Sequence, residues 1–101
     1  MRTLALVTLD KRRPALLLTR PAVLGRIGRI SVAPITTTMR GLVSEVPVGP
    51  RNGLDHDSVI SCDNIMTVSR EQVGATLGLL FDDQEADLAR AICEAFDLDP
   101  P

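Results

Sequence analysis

Arg12-Arg13-Pro14-Ala15-Leu16-Leu17-Leu18-Thr19 sets two guanidiniums and a rigid proline directly before four residues that have no polar side chain. A short apolar run bounded by Pro14 and by Arg20-Pro21 reads as a buried strand rather than a helix. Pro14 fixes its own φ and turns Arg13 away from the helical region, so the Arg13 side chain leaves from a stiff, extended position. The strand that fills the core is also a mount for Arg13. By themselves these residues read first as a core strand edged by solvated arginines.

Working outward, Leu4 to Leu9 reads as a first strand, Asp10-Lys11-Arg12 as a turn, and Ala15 to Arg20 as the second strand. Pro21 to Gly28 holds a proline and two glycines and reads as a loop. Arg29 to Thr36 alternates as a third strand, with Pro34 implying a bulge or an edge near its end. Met39-Arg40-Gly41 turns the chain into a fourth strand, Leu42 to Val48, and Gly49 to Asp55 is a loop. A fifth strand, Ser58 to Cys62, runs on toward Ile65 to Val68. Ser69 and Gln72 have capping-box spacing and open a brief helical turn ended by Gly74, before a strand from Ala75 to Leu80.

Asp82 followed by Glu85 repeats the capping logic and opens one convincing helix, Asp83 to Phe96. Leu88, Ala89, Ile92, Cys93 and Phe96 recur at three- and four-residue spacing as its apolar stripe, and Asp97 to Pro101 reads as a fraying tail. Many short strands and one terminal helix predict a mainly β protein, a small barrel with a helix packed on it, as a single domain over residues 1–101.

Composition narrows the function classes. Hydrophobic residues make up 45% of the chain, yet Phe81 and Phe96 are its only aromatics, so the core is predicted to be aliphatic with both rings inside it. No apolar stretch approaches the ~20 residues needed to span a bilayer, and the N-terminus lacks a signal-peptide plan, which predicts a cytoplasmic protein without a membrane partner. Cys62 and Cys93 stand apart with no CxxC and no suitably spaced histidine, so they read as free thiols, with neither metal nor cofactor. Residues 1–51 carry nine basic side chains against two carboxylates, whereas the remainder carries two against eleven. Such segregation can present a basic face to an anionic partner, unless folding mixes the halves.

Two features can carry chemistry, the Arg12-Arg13-Pro14 turn and the hydroxyls of Thr36-Thr37-Thr38. A guanidinium offers forked donors that match phosphate oxygens, and a threonine hydroxyl can donate to a second oxygen. His56 is the sole histidine, so a paired-histidine ribonuclease is excluded, and its place in the Asn52–Asp57 loop reads as a solvated turn. Asp82-Asp83 is explained as a helix cap. Gly25-Arg26-Ile27-Gly28 matches the GxxG clamp of KH domains, but the helices that should flank it are absent, and the match is set aside.

In order and spacing the chain resembles the MazF/PemK (Kid) family of toxins from type II toxin–antitoxin systems. The resemblance rests on Arg12-Arg13-Pro14-Ala15, then Val32-Ala33-Pro34-Ile35-Thr36-Thr37, Arg40-Gly41-Leu42-Val43-Ser44-Glu45-Val46, Asp57-Ser58-Val59, and Asp63-Asn64-Ile65-Met66-Thr67-Val68. It ends in the Leu88-to-Phe96 helix and covers about residues 3–98, and the run from Ile35 to Val46 looks closest to actinobacterial members. It implies an SH3-like barrel of the CcdB/PemK-like type that forms a homodimer, is blocked by an acidic antitoxin, and cuts single-stranded RNA at short sequences without metal. Carried over by position, Arg13 matches the family's catalytic arginine and Thr36 its catalytic threonine. RNA contacts are then expected from Arg12, Arg20, Arg26, Arg29, Thr37, Arg40 and Asn64, with the loops Pro21–Gly28 and Met39–Gly41 bordering the groove.

The role of general base stays open, since a free guanidinium holds its proton to pH above ~12. Relatives typically open with a strand bearing Arg-Gly-Asp/Glu and a Trp or Tyr, where this chain has Met1-Arg2-Thr3, so its first strand reads as trimmed or as starting upstream. The loop before Arg13 is also short. Two other readings are a non-catalytic antitoxin- or RNA-binding module of the same fold, and a gyrase poison of the CcdB branch. The latter lacks the arginine–threonine pair and ends in a helix unlike the Pro100-Pro101 tail.

Overall fold

In the computed structural model, which describes residues 1–99, three adjacent strands are buried on both faces: β1 (Arg2–Thr8), β2 (Arg12–Leu17) and β3 (Arg29–Thr36). Leu4, Leu16 and Ala33 enter one apolar cluster, while Ala5, Val7, Ala15, Leu17, Ile30 and Val32 enter another. Two-sided burial explains why these strands read as apolar runs rather than as alternations. No aromatic residue is among the buried core side chains.

The sheet is antiparallel throughout. β7 (Val73–Leu80) pairs with β1, β1 with β2, β2 with β3, and β3 with β6 (Met66–Ser69). This ribbon curls into a half-barrel, and the curl brings Val68 of β6 and Val73 of β7 to the same cluster as Ala5 and Val7. A 3-10 turn, Arg70–Gln72, joins β6 to β7, and the Gln72 side chain accepts from the Ser69 backbone N–H at 2.9 Å as its spacing predicts.

The other half of β3 pairs with β5 (Ser58–Ser61), which in turn pairs with β4 (Glu45–Val48). From the pair Ile35–Ile60 to the pair Val32–Met66, β3 moves three residues and its partner six. The extra three are the 3-10 turn Cys62–Asn64, so β5 and β6 are one edge of β3 broken by an insertion. The β2–β3 ladder stops at Ala15–Pro34. The Leu18 N–H bonds the Ser31 carbonyl, so by the antiparallel alternation the next hydrogen-bonded pair would be Pro14 with Ile35, and Pro14 has no N–H to give.

Helix α2 (Asp82–Ala95) lays Leu88 and Ala91 on the first cluster. The predicted stripe is rotated: Leu88 is buried and Ile92 packs against that cluster, but Ala89 is exposed and Phe96 is 56% exposed. The buried side is set by Gln84, Leu88 and Ala91, a four- and three-residue spacing that includes a polar residue and so hides from an apolar count. Phe81 is half-buried, with the Arg51 guanidinium 4.7 Å above its ring, and is not a core residue either. The N-cap falls on Phe81, whose N–H donates to the Gln84 side chain at 3.0 Å, so Asp82 and Glu85 are first-turn charges rather than the capping pair. The tail does not fray at Asp97. That residue takes a left-handed φ of 55° and Leu98 N–H closes on the Cys93 carbonyl at 2.8 Å, which ends the helix. Pro100 and Pro101 lie outside the described residues.

Two further boundaries differ from expectation. Pro21–Leu24 forms one short helical turn, α1, with proline at its start, inside the predicted loop. The predicted strand from Leu42 is strand only from Glu45, because Leu42 and Val43 are exposed and the Leu42 carbonyl turns back to accept from the Glu45 N–H.

Asn52 ties these parts together. It is fully buried, donates to the Leu79 carbonyl at 2.9 Å and to the Gln84 side chain at 2.8 Å, and accepts from Gly49 N–H and from Gln84. Every one of its polar atoms is satisfied, so the loop, β7 and α2 are locked at one point. Asn52→Ala orphans the Gln84 amide and the Gly49 N–H. Thermal unfolding is expected to show a loss of about 2–3 kcal/mol, a fall in Tm of roughly 10–20 °C, and a Tm within a few degrees of the parent would refute the lock.

Candidate active site

Beyond the last β2–β3 pair, the same register would set Pro14 opposite Ile35 and Arg13 opposite Thr36. The strands part there instead of bonding. Arg13 and Thr36 both line the cleft that opens, a cavity of about 910 Å³. Arg40 and Asn64 line it too, as do Met66 to Val68 of β6. Four of the predicted site residues are thus brought together by the proline-ended ladder and by the break between β5 and β6.

Arg13 is not a free side chain. Its Nε donates to Asp10 Oδ1 at 2.9 Å and its Nη2 to Asp10 Oδ2 at 3.1 Å, a forked pair across the short turn between β1 and β2. The remaining N–H groups of the guanidinium are left for another acceptor. The hydrogen-bonded Asp10 carboxylate raises the Arg13 pKa above its ordinary value, and Arg13 holds the Asp10 carboxyl well below the usual carboxylate range. Thr36 Oγ1 accepts from the Thr38 N–H at 3.1 Å, which fixes the oxygen and leaves the hydroxyl proton to donate.

The rim opposite is built around a carboxylate. Glu45 accepts from the Arg40 N–H at 3.2 Å and from the Leu42 N–H at 3.1 Å, which shapes the loop through Gly41, where φ is +72°. Ser44 donates to Asp63, and Asn64 donates to Ser61 Oγ at 2.8 Å. The cleft therefore holds Asp10, Glu45 and Asp63 beside Arg13 and Arg40, and is mixed in charge rather than a basic groove. Asp10, Glu45 and Asp63 are absent from the residues predicted from sequence. Glu45 and Asp63 stood within the runs that carry the resemblance, and the three-residue spacing of Asp10 from Arg13 across a tight turn could have marked the third.

The other predicted contacts lie elsewhere. Arg12 and Thr37 are exposed beside the cleft without lining it, and Arg20, Arg26 and Arg29 sit at the far end of β3. Seven strand steps at about 3.3 Å put roughly 23 Å between the Cα atoms of Arg29 and Thr36. The Pro21–Gly28 loop consequently does not border the cleft, whereas Arg40 of the Met39–Gly41 loop does. The charge halves mix in part, since Arg2 pairs with Glu85 at 3.0 Å and Arg51 with Asp83 at 3.0 Å. His56 is exposed in its turn and away from the cleft. Burial raises the Cys62 thiol to about 11, so it stays protonated and unreactive near neutral pH. Among the described residues no group of three His, Cys, Asp or Glu side chains gathers as a metal-ligand set, and no helix is long and apolar enough to cross a membrane.

Comparison with known proteins places this geometry in company. Residues 8–96 match the family described as PemK-like, MazF-like toxin of type II toxin–antitoxin system. The chain is 50% identical over 99 residues to endoribonuclease MazF3 of Mycobacterium tuberculosis, covering 98% of this chain and 96% of that protein. The solved structure of the Mycobacterium tuberculosis toxin MazF-mt6 superposes with a TM-score of 0.96 at 49% identity, over 98% of this chain and 100% of that one. An endoribonuclease from a mycobacterial species, solved with its cognate antitoxin, shares the fold at a TM-score of 0.85 and 24% identity, over 98% and 95% of the two chains.

The Asp10–Arg13 fork has a direct spectroscopic consequence. A carboxyl whose pKa is depressed in the folded state keeps its partner until the pH falls through that lowered value, so the fork persists at every pH above the usual carboxylate range. A carbon-detected NMR titration is expected to show no Asp10 inflection near 3.9, and Arg13→Ala to restore one there. An ordinary Asp10 titration in the parent protein would show that the fork does not form in solution.

Proposed function

The chain belongs to the PemK-like, MazF-like toxins of type II toxin–antitoxin systems, and on that premise we propose that it is an endoribonuclease that cuts single-stranded RNA at short sequences without a metal ion. The observation that carries the reading is the placing of Arg13 and Thr36 in register across a ladder that fails to close, both facing one cleft.

In this reaction the ribose 2′ oxygen attacks the adjacent phosphorus and the bond from phosphorus to the 5′ oxygen breaks. A 2′,3′-cyclic phosphate and a 5′-hydroxyl remain. Negative charge builds on the non-bridging oxygens, where the free N–H groups of Arg13 donate to one and the Thr36 hydroxyl to another. Asp10 holds the guanidinium at a fixed angle and strengthens its grip on its proton, so Arg13 works as a fixed cation and not as the base. The 2′-hydroxyl proton passes to solvent, and water protonates the leaving oxygen. Arg40 and Asn64 contact the nucleotides on either side.

The partners follow the same proposal. An acidic antitoxin segment competes for Arg13 and Arg40, as the antitoxin-bound mycobacterial relative makes reasonable. Exposed Leu42, Val43 and Phe96 give apolar surface for a second copy in a cytoplasmic homodimer. A non-catalytic module of the same fold has no use for a cation held rigidly beside a fixed hydroxyl.

The test is cleavage of mixed RNA in EDTA with sequencing of the fragment ends. Wild type should leave cyclic phosphate and 5′-hydroxyl termini, and Arg13→Ala should lower the rate by about a hundredfold to a thousandfold, the cost of losing one fixed donor to a developing oxyanion. Asp10→Ala should lower kcat by about a hundredfold through misplacement of Arg13, and His56→Ala should leave it unchanged. No cleavage by wild type, or full activity in Arg13→Ala, removes the mechanism.

A further inference from the structure

Between Asp10 and Glu45 the chain has no carboxylate, yet it carries Lys11, Arg12, Arg13, Arg20, Arg26, Arg29 and Arg40. The cleft uses Arg13 and Arg40. Arg20, Arg26 and Arg29 gather instead on the loop between β2 and β3, and Arg70 joins them, since its N–H donates to the Gly28 carbonyl and its Nη1 to the Gly25 carbonyl, both at 3.1 Å. All four are exposed, and none makes a salt bridge among the described residues. Glu71, the neighbour of Arg70 in sequence, forms no salt bridge with it.

The glycines of this loop are unexplained by the fold. Gly25 has φ −75°, an ordinary helical value, and Gly28 has no positive φ. A Cβ at either position would meet nothing within 4 Å. Neither conformation nor internal packing requires glycine there, which leaves close approach of something outside the chain to their backbone. The surface is also continuous with the cleft. Met66, Thr67 and Val68 line the cleft, and the next residue, Ser69, is the register partner of Arg29.

We propose that the Arg20–Arg29 loop with Arg70 is a second, non-catalytic binding surface for the RNA sugar–phosphate backbone, holding a strand that leaves the cleft along β6. Bare glycines let phosphates come close to the main chain while the arginines flank them, as in the GxxG loop of KH domains but on a β-to-β connection. At about 3.4 Å per stacked nucleotide, the roughly 23 Å from Thr36 to Arg29 corresponds to about seven nucleotides. A strand too short to cover this distance cannot occupy the cleft and the loop at once. The proposal rests on the nuclease reading for the identity of the polyanion alone.

The experiment measures binding of fluorescent 2′-O-methyl RNA of mixed sequence, which lacks the nucleophile and is not cut, at two lengths of about four and about twenty nucleotides. Arg20→Gln, Arg26→Gln and Arg29→Gln combined should flatten the salt dependence of the long probe by about two in log–log slope, at roughly 0.7 for each lost phosphate contact, and leave the short probe unchanged. Gly25→Val with Gly28→Val should keep the parent Tm, since the added side chains point into open space, and still weaken the long probe alone. Equal loss on both probes, or no loss on the long one, overturns the proposal. Loss of poly-L-glutamate binding with RNA unaffected overturns it in favour of an acidic peptide. Absence of RNA cleavage by the parent protein with the length effect intact removes the nuclease reading and leaves this surface standing.

Discussion

The missing N–H of Pro14 is the constraint on which the candidate site depends. Strands β2 and β3 are joined by ordinary pairs from Leu17–Val32 to Ala15–Pro34, and would zip shut over Arg13 and Thr36 if Pro14, opposite Ile35, could donate. Proline makes that impossible and also stiffens the backbone on which Arg13 sits. On its other edge β3 is held by β5 at Ile35 and Thr36, so only the edge toward β2 is open. An opening in a sheet would normally collapse by re-pairing. Here it is propped by core packing immediately behind it, with Ala15, Leu16, Ala33 and Ile35 all buried.

Around that opening, the carboxylates do structural work that a count of charges misreads. Asp10 aims Arg13, Glu45 holds two backbone N–H groups of the facing loop, and Asp63 takes the Ser44 hydroxyl. Each would repel a phosphate if it faced solvent alone, and each is instead occupied by a donor of the protein. The cleft is close to neutral overall while presenting specific donors. Such a site discriminates by geometry, since its attraction does not extend far beyond contact under physiological salt, where the Debye length is about 8 Å.

What sequence made legible follows from local rules. The apolar run after Pro14 had to be a buried strand, the Ser69–Gln72 box formed as spaced, and Arg13 and Thr36, singled out through a family pattern, line one cleft. What stayed hidden depended on contacts distant in the chain. Gln84 occupies a buried helix position because Asn52, 32 residues earlier, satisfies its amide. With Gln84, Leu88 and Ala91 on the buried side of α2, Ala89 and Phe96 face outward despite their hydrophobicity. Leu42 and Val43 look like strand residues, but Glu45 bonds the loop into a turn that strand pairing cannot match. Arg20, Arg26 and Arg29 were placed at the cleft because sequence distance does not show which end of a strand a loop occupies.

That last error points to how the charge is apportioned. Strand β3 carries the site at its C-terminal end and the carboxylate-free arginines at its N-terminal end, about 23 Å apart by strand rise. A donor held in a fixed direction, as Arg13 is by Asp10, depends on an exact partner geometry. Long-range attraction of a polyanion, by contrast, gains from exposed and unpaired charge and is indifferent to exact geometry. One strand with the two functions at opposite ends satisfies both requirements, and it needs only that the residues between them, Ile30, Val32, Ala33 and Ile35, stay buried to keep it straight.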